Sequence, residues 1–251
     1  MGQIASLFAE FTGIQYNKEN RYFYDYHRIN FLTAHDGFTG YDLVSYNDKH
    51  NEKNGENNLD GNNTNWSWNS GIEGQTNNRK TLDFRLARLK AMMATLLLSN
   101  GTPMILAGDE FLNTQYGNNN AYSQDNLISW LDWKMENSYA RQMQHFIEDI
   151  IQMRKDFPLF TSDTVAVMQN AEGRPLDIHN LPHGMRDFGI ICYTQGNIYF
   201  VIFNANPHIV YYELQKKSKY ICLLNTSTQS VISRNKIAVE AWSLIVLKKQ
   251  S

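Results

Sequence analysis

Leu82, Leu86, Leu89, Met93, Leu96 and Leu97 recur at intervals of three and four, the period that turns one face of an α-helix toward a core. This spacing predicts a helix over residues 80–99, ended at Asn100-Gly101. Residues 103–107, apolar throughout and bounded by Gly101 and Gly108, predict a parallel strand buried on both faces. Ile29 to Leu32 predicts a second short buried strand, so that strand, long loop, helix and strand follow one another. A further helix is predicted over residues 138–155, with Met143, Phe146, Ile147, Ile150 and Met153 on one side and Phe157-Pro158 as its stop.

Beyond Pro158 the pattern changes. The runs 164–168, 188–194, 198–204, 209–214, 220–224 and 238–247 are rich in β-branched and aromatic residues and are parted by turn signals such as Gln195-Gly196-Asn197 and Asn206-Pro207. They predict an all-β domain, a sandwich, over residues 158–251, preceded by a helix-and-strand domain over residues 1–157.

Two short motifs close the predicted strands. Thr33-Ala34-His35-Asp36-Gly37-Phe38 follows the first, and Gly108-Asp109-Glu110 follows the second. A (β/α) barrel places its substrate-touching groups at the carboxyl ends of its strands, and two such units suggest a barrel. Taken alone, Asp36 could cap the next turn with His35 packed beneath it, and Asp109 or Glu110 could pair with a buried arginine. The loops 47–69 and 117–126 are long and crowded with asparagine, and they hold or adjoin Tyr46, Trp66, Trp68, Asn120 and Tyr122. Amides both donate and accept hydrogen bonds, and aromatic rings offer flat apolar faces. Trp130 and Trp133 are assigned to the core.

Composition narrows the chemistry. With 251 residues, 42% of them hydrophobic and 19% charged, the chain reads as globular, with one or two domains. A net charge of -2 without basic runs argues against nucleic acid and anionic membrane surfaces and suits a neutral polymer. Apolar stretches are interrupted before the length of a membrane span, and Met1-Gly2-Gln3-Ile4 lacks the basic start and apolar block of a secretory leader. Cys192 and Cys222 fall in separate strand-like runs and read as buried free thiols, which predicts an intracellular, cytoplasmic location. The seven histidines are scattered, and no His-Glu-x-x-His, Cys-x-x-Cys, calcium loop or phosphate-binding glycine loop occurs. No metal or cofactor is expected.

The two strand motifs, with Asn47-Asp48-Lys49-His50-Asn51-Glu52, Asn54-Gly55-Glu56-Asn57-Asn58 and the stretch from Gly117-Asn118-Asn119-Asn120 to Asp125-Asn126, resemble the bacterial glycogen debranching enzymes and isoamylases of the α-amylase family, across residues 29–133. The resemblance implies the terminal part of a (β/α)8 TIM barrel followed by a C-terminal β-sandwich. It also implies hydrolysis of α-1,6 branch linkages in glycogen or limit dextrin with retained configuration. By resemblance Asp36 stabilises the transition state through the sugar hydroxyls and His35 contacts the same ring. Tyr46, Trp66, Trp68, Asn120 and Tyr122 are then substrate-binding candidates, with Asp109 and Glu110 supporting the site. The family's nucleophile and acid/base find no match, and residues 1–28 are too short to hold them. The chain is therefore expected to be the carboxyl-terminal part of such an enzyme, inactive without a missing amino-terminal half, and to self-associate through sheet edges and the helix face of Leu82, Leu86, Leu89 and Met93. A non-catalytic glucan-binding or regulatory remnant, or the product of a truncated gene, is the alternative. Leu59 stands where relatives carry arginine. Gly184-Met185-Arg186-Asp187 has an arginine beside an aspartate, but within the β domain, where it predicts a turn.

Overall fold

A computed structural model describes residues 3–16, 22–24, 28–134, 137–161, 164–227, 232–233 and 235–250. The chain divides into two compact units, one of Met1–Asn30, Ala94–Pro103 and Ile150–Ser251, the other of Phe31–Met93 and Met104–Asp149. The expected break at 157/158 follows the change in secondary structure, whereas compactness groups the amino-terminal segment with the β-rich end. Part of that segment, 17–21 and 25–27, lies outside the described residues.

The first unit opens with α1 (Gln3–Thr12) and the antiparallel hairpin of β1 (Ile14–Tyr16) and β2 (Tyr22–Tyr24), neither of which the apolar pattern predicts. β3 (Ile29–Phe31) forms a two-stranded sheet with β4 (Thr102–Met104), and Thr102 N–H donates to the Arg28 carbonyl at 2.8 Å. Neither strand is buried on both faces: Ile29 is 65% exposed, Phe31 57% and Met104 40%. These apolar side chains stand largely in water, so the expectation that both strands are buried on both faces is corrected here.

The β-rich part holds a five-stranded antiparallel sheet in the order β5-β6-β7-β12-β9 and a three-stranded one in the order β10-β11-β8. These are β5 (Val165–Gln169), β6 (Asp187–Thr194), β7 (Asn197–Asn204), β8 (Val210–Glu213), β9 (Tyr220–Asn225), β10 (Ile232–Ser233), β11 (Lys236–Val239) and β12 (Ser243–Lys249). Alternate residues of both sheets meet in one core of Phe200, Ile202, Tyr212, Leu214, Ile237, Val239, Ile245 and Leu247, as two packed sheets require. The predicted single run over 238–247 is instead two strands in different sheets, parted at Trp242, whose φ of 55° turns the chain. Asp187, from the motif read as a turn, begins β6 and accepts the buried Tyr212 hydroxyl at 2.8 Å.

Phe11 of α1 is fully buried edge-on against Phe160 and Phe203, with ring centroids 5.3 and 5.1 Å away. Arg154 fastens the chain after the long helix by donating to the carbonyls of Leu97, Ser99 and Gly101 at 2.5, 2.6 and 2.5 Å. Both cysteines are free thiols, but only Cys192 is buried. Cys222 lies on the edge strand β9 at a register shift opposite Val246/Leu247, which carries it to the open side and corrects its expected burial. Among the described residues no helix is long and apolar enough to cross a membrane.

The second unit is built around α2 (Gly40–Leu43) and the greater part of α3 (Arg79–Leu98) and α4 (Ser138–Asp156). The periodic residues do what their spacing predicts: Leu86, Leu89, Met93, Met143, Phe146 and Ile147 are buried. The helix face expected to stand open is thus covered within this chain. Lys90 Nζ rests 5.0 Å from the centre of the Phe146 ring, and the Tyr139 hydroxyl donates to Asp83 at 2.7 Å, so α3 and α4 run side by side here.

Candidate functional site

The loop after β3 displays its two polar residues. His35 Nε2 lies 3.4 Å from Asp36 Oδ2, and the side chains are 88% and 82% exposed. His35 therefore does not pack beneath the loop, and Asp36 is not a helix cap. That role belongs to Thr39, whose hydroxyl accepts from Asp42 N–H at 3.2 Å at the start of α2. The Asp36 carboxylate stands open to solvent. The loop itself is held by its backbone, since Gly37 N–H donates to the Asn119 carbonyl at 3.0 Å.

Two buried carboxylates lie behind it. Asp109 accepts the Thr33 hydroxyl and, at 2.7 Å, the Gly40 N–H, so it joins the end of β3 to the start of α2. Its neighbours are a hydroxyl and an amide, not the arginine considered from sequence. Burial raises its pKa to about 6 against the pull of those donors. Glu110 accepts the Gly108 N–H at 2.8 Å, closing the turn after β4. Asp42 is fully buried and accepts the Thr114 hydroxyl at 2.5 Å and the N–H groups of Gln115 and Gly117 at 2.8 and 3.2 Å. Desolvation raises it also to about 6. Asp42 is absent from the sequence-based expectations, although Thr39-Gly40-Tyr41-Asp42 carries the spacing of a capping box.

The asparagine-rich loops are ordered by their own amides. Asn51 Nδ2 donates to Asn119 Oδ1 at 2.9 Å while Asn51 Oδ1 accepts Asn119 N–H at 2.9 Å. Asn119 Nδ2 donates to the Asn62 carbonyl at 2.7 Å. Asp60 accepts Asn54 and Asn120 Nδ2 at 2.7 and 2.9 Å, and these two donors hold its carboxyl below the ordinary range. Glu73 accepts the N–H of Asn47 at 2.8 Å, the Asn69 amide at 2.9 Å, and faces His50 at 3.4 Å. Gly61 must lack a side chain, because a Cβ there would come within 2.6 Å of Asn51 Nδ2.

Two arginines of α3 fix the far end of the first loop. Arg85, wholly buried, donates to the carbonyls of Gly74 (2.7 Å), Asn69 (3.2 Å) and Ile72. Arg88 donates to the Trp68 carbonyl and to Ser70 and Ser67 hydroxyls at 2.8, 2.7 and 2.9 Å, and burial with Arg85 close by lowers its pKa to about 10. They stand on the apolar helix, where the periodic leucines draw the eye and a buried guanidinium leaves no sequence signal.

The expected stacking residues separate into two groups. Trp66 is 90% exposed and Tyr122 78%, both open to solvent. Tyr46, by contrast, is buried: it stacks on Phe38 with centroids 6.4 Å apart and packs on His50 at 5.3 Å, and desolvation raises its hydroxyl to about 12. Trp68 has one face under Arg88, 4.5 Å from the ring centre. Asn120 spends its amide on Asp60. These three serve the loop scaffold. Trp130 and Trp133, assigned to the core from sequence, are exposed: one donates to Asp125 at 2.9 Å and the other rests on Phe111. Leu59 is 80% exposed, and Asp60 beside it is held by the amides of Asn54 and Asn120. Among the described residues no group of three or more His, Cys, Asp or Glu is arranged to hold a metal ion.

No family model matches the sequence. In structure the chain is similar to a mutant pullulanase from Paenibacillus barengoltzii complexed with maltotetraose, with a TM-score of 0.66 at 19% identity over 98% of this chain and 34% of that one. Pullulanase type I from Bacillus subtilis, complexed with maltose, gives 0.56 at 20% identity over 89% of this chain and 27% of that one. These likenesses define the fold as the pullulanase type. In sequence the chain is 39% identical over 217 residues to a glycogen debranching enzyme of Enterobacter sp. (strain 638), covering 84% of this chain and 32% of the relative. It is 53% identical over 132 residues to the GlgX homolog of Mycobacterium tuberculosis, covering 53% of this chain and 18% of the relative. The chain is thus similar in sequence to bacterial glycogen debranching enzymes and spans about a third or less of the length of the relatives it matches.

Proposed function

We propose that this chain supplies the glucan-facing terminal portion of a debranching hydrolase, acting on α-1,6 branch linkages of glycogen or limit dextrin as part of a longer catalytic assembly. The observation that carries this reading is the 39% identity to a glycogen debranching enzyme across 84% of the chain. The display of His35 and Asp36 supports it, because a carboxylate that is open to solvent and held on a fixed loop can accept sugar hydroxyls as the ring distorts. Asp36 then stabilises the transition state, His35 contacts the same ring, and Trp66 and Tyr122 offer stacking surfaces. The barrel to which β3 and β4 would belong is completed, in this reading, by strands outside this chain. Exposed Ile29, Phe31 and Met104 are consistent with that need. Nucleophile and acid/base would come from the same source, so the chain alone is inactive.

A second reading, glucan binding without hydrolysis, is favoured by the exposure of Trp66 and Tyr122. Incubation with phosphorylase-limit dextrin and migration through glycogen-containing gels test both. We expect no reducing sugar above a heat-killed control, together with retarded migration. Hydrolysis abolished by Asp36→Asn would overturn the claim of inactivity, and unretarded migration would overturn glucan recognition.

A further inference from the structure

We infer that Asn51 is a positioning residue for the His35–Asp36 loop, acting through its paired amide contact with Asn119. The inference rests on the reading that Asp36 engages glucan, and names what holds it there. Asp36 faces His35 at 3.4 Å with its side chain 82% exposed, and the next residue, Gly37, is anchored to the Asn119 carbonyl. The position of that carbonyl is set by the Asn119 backbone and side chain, and Asn51 meets both, through Oδ1 and Nδ2 at 2.9 Å each. Both asparagines are buried, at 0% and 4% exposure. A buried carboxamide pair satisfied at donor and acceptor has one geometry, and any residue lacking either group leaves a buried polar atom unpaired.

Asn51 is in turn fixed from its own loop. Its N–H donates to Asn58 Oδ1 at 2.9 Å, its Nδ2 also reaches the Asp60 carbonyl at 3.0 Å, and Lys49 Nζ reaches that same carbonyl at 2.5 Å. Two loops far apart in sequence are thereby locked to each other, and the lock ends on the residue after Asp36. The strand and helix flanking the motif, β3 and α2, give no clue to this, because the contact joins residues 68 positions apart.

The isosteric change Asn51→Asp keeps the acceptor for Asn119 N–H but sets a carboxylate oxygen against Asn119 Oδ1 and the Asp60 carbonyl, where two acceptors repel. We expect Gly37 amide exchange to accelerate at least about tenfold and the dissociation constant for maltohexaose to rise at least about tenfold, the loss of one charge-scale hydrogen bond. Asn51→Ser, too short to span the pair, should do the same and serves if the aspartate variant does not fold. Asn69→Ala loosens the far end of the same loop, at Glu73 and Gly71, without touching Asn51 or Asn119 and should leave Gly37 exchange unchanged. Lowering the pH until the carboxyl of the aspartate variant is protonated restores a donor and should recover Gly37 protection relative to wild type at the same pH, which general damage to the loop would not. Unchanged Gly37 exchange in both Asn51 variants overturns the inference whatever the glucan data show. Accelerated exchange in a protein whose wild type binds no maltohexaose supports the positioning role and overturns the functional reading instead.

Discussion

Replacing Asp42 by asparagine should stabilise the chain at neutral pH, although Asp42 is fully buried and accepts three hydrogen bonds. Burial raises its pKa from 3.8 to about 6. Between those values the folded state binds the proton more tightly than the unfolded chain, so stability is full below about 3.8 and is lost as pH rises through about 6. Two pH units at 1.36 kcal/mol each set the cost of the ionised form at about 3 kcal/mol at neutral pH. An asparagine oxygen can keep the Gln115 and Gly117 N–H groups while its amide donates to the Thr114 hydroxyl, so the charge is removed and the contacts survive. We expect a gain of about 1–2 kcal/mol at pH 7.5, shrinking as the pH falls toward 4. Asp42→Ala strands three donors and should cost about 3 kcal/mol or more. Urea unfolding at pH 7.5 and 4.5, with an unchanged slope, measures the difference. If the asparagine variant is destabilised at pH 7.5 as much as the alanine variant, the buried charge is not a burden and the reasoning fails.

Other perturbations follow from single contacts. Gly117→Ala places a Cβ 2.7 Å from Tyr46 and 2.8 Å from His50 at a φ of 79°, and should lower stability by about 2–4 kcal/mol in thermal unfolding; a neutral result would show that the loops do not close on Tyr46 as described. Phe11→Ala removes the ring set between Phe160 and Phe203 and should cost about 3–5 kcal/mol in the cooperative melt, against about 1 kcal/mol or less if α1 is peripheral. A thiol reagent should titrate Cys222 in the folded protein and Cys192 only after denaturation, because burial pushes the Cys192 thiol up to about 12.

The long helices were legible because their apolar period needs no partner to be read: α3 and α4 lie within a residue of the bounds that Leu82 to Leu97 and Met143 to Met153 predict. Strands β5 to β9 were legible for the same reason, through β-branched runs punctuated by turns. Burial of β3 and β4 was not, since an apolar strand is buried only when something lies over it. The site divides along the same line. His35-Asp36 is a local motif and stands out in the sequence, whereas Asp42, Arg85 and the Asn51–Asn119 pair act through contacts with distant loops. Tyr46 shows the converse, an aromatic in a polar loop that is spent on holding the loop.

The central claim is that this chain contributes Asp36 to a debranching site assembled with residues outside it. Reducing-sugar release from limit dextrin by the chain mixed with the amino-terminal two thirds of a related debranching enzyme tests it most directly. The account predicts release by the mixture, none by either part alone, and loss of at least about a hundredfold when the chain carries Asp36→Asn. Release that is indifferent to Asp36→Asn, or an inert mixture whose two parts nevertheless form a stable complex, would contradict it.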